Sequence, residues 1–169
     1  MTRYGAVDVH YLGEGGARAA LVVAVDPRFA TLVEDRVALL DAVPPYRPGF
    51  FFERELPAVR AVLATTAAVD LLVVDGYVDL DPAGRPGLGA HVHAETGQPV
   101  IGVAKTAFRP ATHAIPVRRG AAARPLFVTA AGLPAVEAAA LVRDMAGGHR
   151  IPDALRRVDR LARAGSVPG

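Results

Sequence analysis

Val69-Asp-Leu-Leu-Val-Val-Asp75-Gly76 is a short apolar run that stops on an acid and a glycine. Four consecutive apolar residues without polar alternation mark a strand buried on both faces, as in the parallel part of an α/β sheet. Downstream, Pro99-Val-Ile-Gly-Val-Ala-Lys105 repeats the pattern and runs into a lysine. Upstream, Tyr4 to Tyr11 alternates and is rich in β-formers, with Asp8 in its middle. Glu14-Gly15-Gly16 then signals a turn, and Ala17 to Val25 is an apolar run ending at Asp26-Pro27, so the two segments make a β-hairpin. Thr31 to Ala42 fits a third strand or a short helix, and its alternation does not separate them.

The spacing of Leu56, Val59, Val62 and Leu63 predicts a helix from about Phe52 to Ala67. Further helices are expected at Leu88 to Glu95, Ala135 to Met145 and Ile151 to Ala164, with a last strand at Pro125 to Thr129. Pro44-Pro45-Tyr46-Arg47-Pro48-Gly49 reads as a loop held in shape by its prolines. A hairpin or meander followed by strand–helix–strand units gives a mixed α/β sheet flanked by helices. The ribonuclease H-like architecture fits that order, as do other α/β folds.

Composition narrows the function classes. With 169 residues, 51% apolar and 21% charged, the chain is expected to form a single domain over 1–169 with a real core. The absence of cysteine excludes a disulfide framework, a cysteine zinc site and thiol catalysis. Nineteen Lys and Arg against 17 Asp and Glu leave a net charge of +2, so any basic footprint must come from placement rather than total. No stretch approaches the roughly 18 apolar residues of a membrane span. The amino terminus also lacks a signal-peptide run, so no membrane partner and a cytoplasmic location are expected.

Chemistry concentrates at strand ends. A carboxylate at Asp8 or Asp75 is costly in a dry interior unless it accepts donors, pairs with a cation or binds a metal. Carboxylates from neighbouring strands suit magnesium, which takes oxygen ligands and keeps several waters; a helix cap at Asp75 and a backbone bond at Asp8 account for the same residues. Glu53 and Glu55 sit two apart near a helix start, so only one of them should reach a site beside the sheet. Lys105 would emerge on the same sheet edge as Asp75 if their strands run parallel. There it could hold a phosphate as a point charge or simply be solvated.

Read together, Gly5-Ala-Val-Asp8-Val-His-Tyr11, Pro45-Tyr-Arg-Pro-Gly-Phe-Phe-Phe-Glu-Arg-Glu-Leu-Pro57, Leu71-Leu-Val-Val-Asp75-Gly76 and Pro99-Val-Ile-Gly-Val-Ala-Lys-Thr106 resemble the endonuclease V family in order and spacing. The resemblance implies a ribonuclease H-like fold and a DNA-repair nuclease dependent on Mg²⁺, with Mn²⁺ able to substitute. Its partner would be DNA or RNA containing deaminated adenine (inosine or deoxyinosine), cut just 3′ of the lesion's neighbour to leave 3′-hydroxyl and 5′-phosphate ends. Asp8, Asp75 and Glu55 correspond to the metal-binding acids, and Lys105 to a lysine near the scissile phosphate. Tyr46, between Pro45 and Pro48, falls in the wedge that separates strands, where its ring offers a stacking face. Gly49 and Gly76 correspond to backbone positions of the pocket for the flipped base. Arg47 would add a phosphate-seeking charge beside the wedge.

The sequence also departs from that pattern. After Asp75-Gly76, Val78 replaces a glycine, Asp81 stands where a histidine is usual, and Arg85 is a substitute for the motif arginine. Asp79 and Asp81 would add carboxylates near Asp75. Gly132 takes the place of a histidine expected to serve the active site, and the first motif lies close to the start of the chain without the family's preceding helical segment. Of His10, His91, His93 and His113, His91 has the best claim to compensate. These departures keep two alternatives open: a weak or inactive nucleic-acid-binding homologue, using Arg156, Arg157, Arg160 and Arg163, and a repurposed enzyme acting on a small nucleoside or nucleotide.

Overall fold

The computed structural model describes residues 1–164 apart from Glu14, Tyr46, Gly49 and Phe51. Strand β1 (Tyr4–Tyr11) is followed by β2 (Ala17–Ala24), β3 (Leu32–Leu40), helix α1 (Phe52–Leu63), β4 (Leu71–Asp75) and α2 (Leu88–Thr96). Then come β5 (Val100–Ala104), β6 (Ile115–Val117), β7 (Leu126–Ala131), α3 (Ala135–Asp144) and α4 (Asp153–Ala164). The seven strands form one sheet in the order β3-β2-β1-β4-β5-β7-β6. The meander β1–β2–β3 is antiparallel, whereas β4 runs parallel to both β1 and β5.

Thr31 to Ala42 therefore resolves as a strand. Its alternation is that of a sheet edge, with Leu32 and Val37 turned to the core and Val33 left 48% exposed. One strand escaped the sequence reading: β6 is three residues long with Pro116 at its centre, tolerable because it lies at the other edge of the sheet. Helix α1 also ends earlier than its apolar spacing suggested, at Leu63, and the Thr65 hydroxyl bonds the Val62 carbonyl just beyond.

Two hydrophobic layers sandwich the sheet. On one face α1 and α2 bury Leu56, Val59, Val62 and Val92 against Val7, Leu72 and Val74. On the other, α3 and α4 bury Val142, Leu155, Val158 and Leu161 against Ala6, Val73, Ile101 and Val103. Adjacent residues of β4 thus serve opposite layers, which is why its run is apolar throughout. No helix among the described residues is long and apolar enough to cross a membrane.

The loop after β4 is pressed onto the sheet. Gly76 takes φ +114°, a conformation that side chains rarely adopt, and its amide bonds the Val103 carbonyl at 2.9 Å. A side chain at Gly102 would run into the Gly76 carbonyl at 2.6 Å and the Val78 nitrogen at 2.8 Å, so the crossing needs glycine there. Val78 is fully buried, and its amide is held by the Thr129 hydroxyl. The valine found where a glycine was expected is thus a core residue that anchors this loop.

Candidate active site

In the parallel pair β1–β4, Val7 lies opposite Val74, so Asp8 and Asp75 are one step further on and share a face. Asp75 pairs with Val103, and Lys105 follows two residues later, on that face again. The Lys105 Nζ stands 3.8 Å from Asp75 Oδ2. The parallel β4–β5 pairing brings the two together, the condition set by the sequence. From the other layer the first turns of α1 deliver Glu55, which lines a small cavity of about 60 Å³ with Asp8, Asp75, Val59 and Leu88. Glu53 turns away and pairs with Arg47 at 2.9 Å. Arg47 also lies over the Phe50 ring, so the expected phosphate-seeking charge is held by an acid and an aromatic face.

Charge at this end of the sheet is poorly compensated. Burial, then the charge of Asp75, pushes Asp8 up to about 7, although the Val9 amide donates to its Oδ1 at 2.9 Å. Burial and Asp75 likewise raise Glu55 to about 7, against the opposing influence of Tyr11 and Arg54. Asp75 rises as well through crowding by the surrounding protein, while Lys105 pulls it down. Arg54 stacks over the Tyr11 ring at 4.3 Å, which fixes both residues beside Glu55.

A further acid comes from α4. Asp159 accepts from Arg163 Nε at 3.1 Å; burial pushes its carboxyl up, but the Arg163 bond and the neighbouring Asp8 outweigh it and hold the carboxyl below the usual range. The sequence reading passed over it, because arginines at 156, 160 and 163 make Asp159 look like a surface ion-pair partner. The available signal was its position beside Val158 and one turn from Leu155, both buried.

The expected extra acids do not join the cluster. The Asp81 carboxylate accepts the Arg85 amide at 3.1 Å and lies 3.7 Å from its guanidinium, and Asp79 bridges to Pro86 in the loop. Gly132 is a correction. Ala131 pairs with Val100 and Phe127 with Ala104, so Gly132 lies beyond the opposite end of β5 from Lys105. It also has φ +81°, and a side chain there would meet His93 at 2.9 Å. A residue at 132 therefore cannot serve these acids. His91 stacks on Phe52 at 3.8 Å, and His93 Nδ1 bonds the Gln98 carbonyl.

A cavity of about 760 Å³ opens beside the cluster, between Glu55 and Asp75 on one side and Gly76, Tyr77, Leu80 and Phe108 on the other. Tyr77 and Phe108 pack together at 5.9 Å, and the Tyr77 hydroxyl bridges the Thr106 carbonyl and the Phe108 amide. Gly76 thus lies in the cavity wall. Pro45 and Pro48 flank the segment leading into α1, while Tyr46 and Gly49 lie outside the described residues.

The acids suit a hard cation. They offer carboxylate oxygens short of positive charge, and among the described residues no three His, Asp or Glu side chains converge to ligate one ion unaided. That fits a cation held by one or two carboxylates that keeps several waters.

An acid cluster at the carboxyl end of a β3-β2-β1-β4-β5 sheet, with helices on both faces, defines a ribonuclease H-like domain. The sequence profile of Endonuclease V matches residues 1–130. Endonuclease V of Streptomyces avermitilis is 32% identical over 95% of this chain and 79% of its own length. That of Thermococcus kodakarensis is 35% identical over 94% and 77%. The chain belongs to the Endonuclease V family. The crystal structure of the S. avermitilis enzyme superposes with a TM-score of 0.81 at 30% identity, covering 96% of this chain and 80% of that one. Ciona intestinalis Endonuclease V, solved with a 23mer DNA containing an inosine followed by a ribo-adenosine, shares the fold at a TM-score of 0.80 and 19% identity, covering 97% and 85%. Asp159 lies beyond the span that the profile matches.

Proposed function

We propose that this chain is a divalent-cation-dependent endonuclease that hydrolyses a phosphodiester bond near hypoxanthine in DNA or RNA. The observation that carries the reading is the meeting of Asp8, Glu55 and Asp75, with Lys105 3.8 Å from Asp75, where Glu55 and Asp75 also border the 760 Å³ cavity. A Mg²⁺ or Mn²⁺ ion held by Asp8 and Asp75, with Glu55 beside them, would polarise a phosphoryl oxygen and acidify a water. Lys105 supplies a fixed positive charge 3.8 Å from Asp75, at the edge a phosphate must approach. Asp159, held by Arg163, adds a further carboxylate beside Asp8. Glu55, pushed up to about 7, can hold or release a proton at neutral pH.

The cavity's aromatic and apolar lining suits an extruded base, with Tyr77 fixed by hydrogen bonds at both sides of its hydroxyl. A base that pairs weakly costs less to extrude, which favours inosine over an ordinary purine. Pro45, Tyr46 and Pro48 would separate the strands, and Gly49 and Gly76 would line the pocket for the flipped base. The direct test is cleavage of labelled single strands with and without one inosine in Mg²⁺ and in Mn²⁺. Inosine-dependent products should form with the wild type and fall by about three orders of magnitude in Asp75→Asn, as expected for loss of charge at the reacting centre.

A second reading, a homologue that binds strands without cutting, is favoured by Asp81 standing where the family pattern has a histidine and being tied up with Arg85 in the loop. Folded wild type that binds the inosine strand yet yields no product in either metal would select it.

A further inference from the structure

The four arginines of α4 divide into two pairs. Arg157 is bonded to Asp35 of β3, and Arg163 to Asp159. Arg156 and Arg160 are exposed, stand one helical turn apart, and have no ion-pair partner among the described residues. Two like charges at that spacing cost a helix a few tenths of a kcal/mol, so the fold gains nothing by placing them together. They face a notch of about 340 Å³ shared with Lys105, Arg150 and Asp159, over an apolar floor that includes Leu155. Of its other two cations, Arg150 is anchored by carbonyls: its guanidinium donates to those of Arg124, Pro125 and Lys105 and has no acid partner among the described residues. The acid that lines it, Asp159, is already engaged by Arg163.

The notch and the large cavity lie on opposite sides of the acids. Asp75 and Glu55 border the cavity, Lys105 stands 3.8 Å from Asp75, and Lys105 in turn borders the notch. We propose that this notch is a phosphate subsite that grips the strand backbone on the side of the cut away from the recognised base, with the exposed Arg156 and Arg160, the carbonyl-anchored Arg150, and Lys105 as its cations. The inference rests on the endonuclease reading above and adds a backbone-binding site to it. The substrate is a polymer continuing past the cut, since a free nucleoside has no phosphate to place there. Guanidinium groups suit the role because their donor forks match phosphate oxygens.

Two inosine strands decide the matter, one ending at the first nucleotide beyond the cut and the other extended there by six nucleotides. Binding is read by fluorescence polarisation in chelator, and cleavage separately in Mg²⁺. Extension should tighten wild-type binding by tenfold or more, and the Arg156→Ala/Arg160→Ala chain should lose most of that gain while binding the short strand like the wild type. Losing two phosphate-neutralising cations should also lower the slope of log affinity against log salt by about 1.4 for a single strand. Arg156→Lys/Arg160→Lys should restore the salt slope, which a merely structural role would not produce. Equal binding of both strands by the wild type, or equal weakening of both by the alanine chain, would overturn the subsite. Length- and arginine-dependent binding without any cleavage would support the notch and sink the nuclease reading instead.

Discussion

At the amino end of β1 and β4, every carboxylate is well supplied with donors. Asp70 accepts the Arg3 amide at 2.7 Å, and Glu34 takes the Arg3 guanidinium at 2.8 Å and the Thr66 hydroxyl at 2.5 Å. The Thr66 bond, then the Arg3 bond, holds Glu34 below the usual carboxylate range. At the carboxyl end of the same strands the pattern reverses. Asp8 has a single backbone donor, Asp75 has a lysine at 3.8 Å, and Asp8 and Glu55 are both pushed up to about 7. One end uses its acids to tie elements together. The other gathers acids that repel one another, and such a cluster stays charged only when a cation joins it.

Substitutions at the two ends should therefore have opposite consequences. Asp8→Asn should abolish cleavage, by about a thousandfold or more, while leaving the metal-free protein at least as stable at pH 8. Arg3→Ala should do the reverse, costing about 1–3 kcal/mol by removing the guanidinium that Glu34 accepts from, with cleavage retained. Thermal unfolding and single-turnover cleavage of the two variants check the contrast. Parallel losses of both stability and activity in Asp8→Asn would break it.

Gly132→His probes the same polarity from the far end of β5. The left-handed backbone and the clash with His93 should cost about 1–2 kcal/mol, without any gain in cleavage. A faster enzyme would mean that position 132 does communicate with the acids.

Much of this asymmetry is legible in the chain itself. Asp8 and Asp75 stand out because apolar strands run directly into them, and the parallel pairing of β4 and β5 brings Lys105 alongside. In the sequence the family resemblance alone selects Glu55 over Glu53, since periodicity leaves the start of α1 uncertain by a residue or two. Asp159 was hidden by its arginine neighbours, since a helix brings residues three and four apart together and a sequence does not say which pairs form. Gly132 was misplaced for a different reason: the motif match located it along the chain, and only the antiparallel register of β7 shows which end of the sheet it occupies.

pH separates the two ends with a smaller effect. For Asp8 and Glu55 the folded values near 7 lie above the ordinary 3.8 and 4.5, so between about pH 4 and 7 the folded chain holds protons that the unfolded chain has released. Stability from these groups must fall as pH rises through that window. Glu34 has the opposite sign: its contribution is present above its ordinary value and is lost as pH falls below it. In chelator the melting temperature should thus peak near pH 5 and drop by on the order of 5 °C by pH 8. Glu55→Gln should flatten that alkaline fall, and Arg3→Ala should leave it in place.

The most direct measurement is calorimetric titration of Mg²⁺ and Mn²⁺ into the wild type and Asp75→Asn at pH 7.5. The wild type should bind a divalent cation and release protons from its raised carboxyls, seen as a binding heat that varies with buffer ionisation enthalpy, and the variant should lose that signal. A wild type that binds neither metal, or a variant that binds both equally well, would contradict the account.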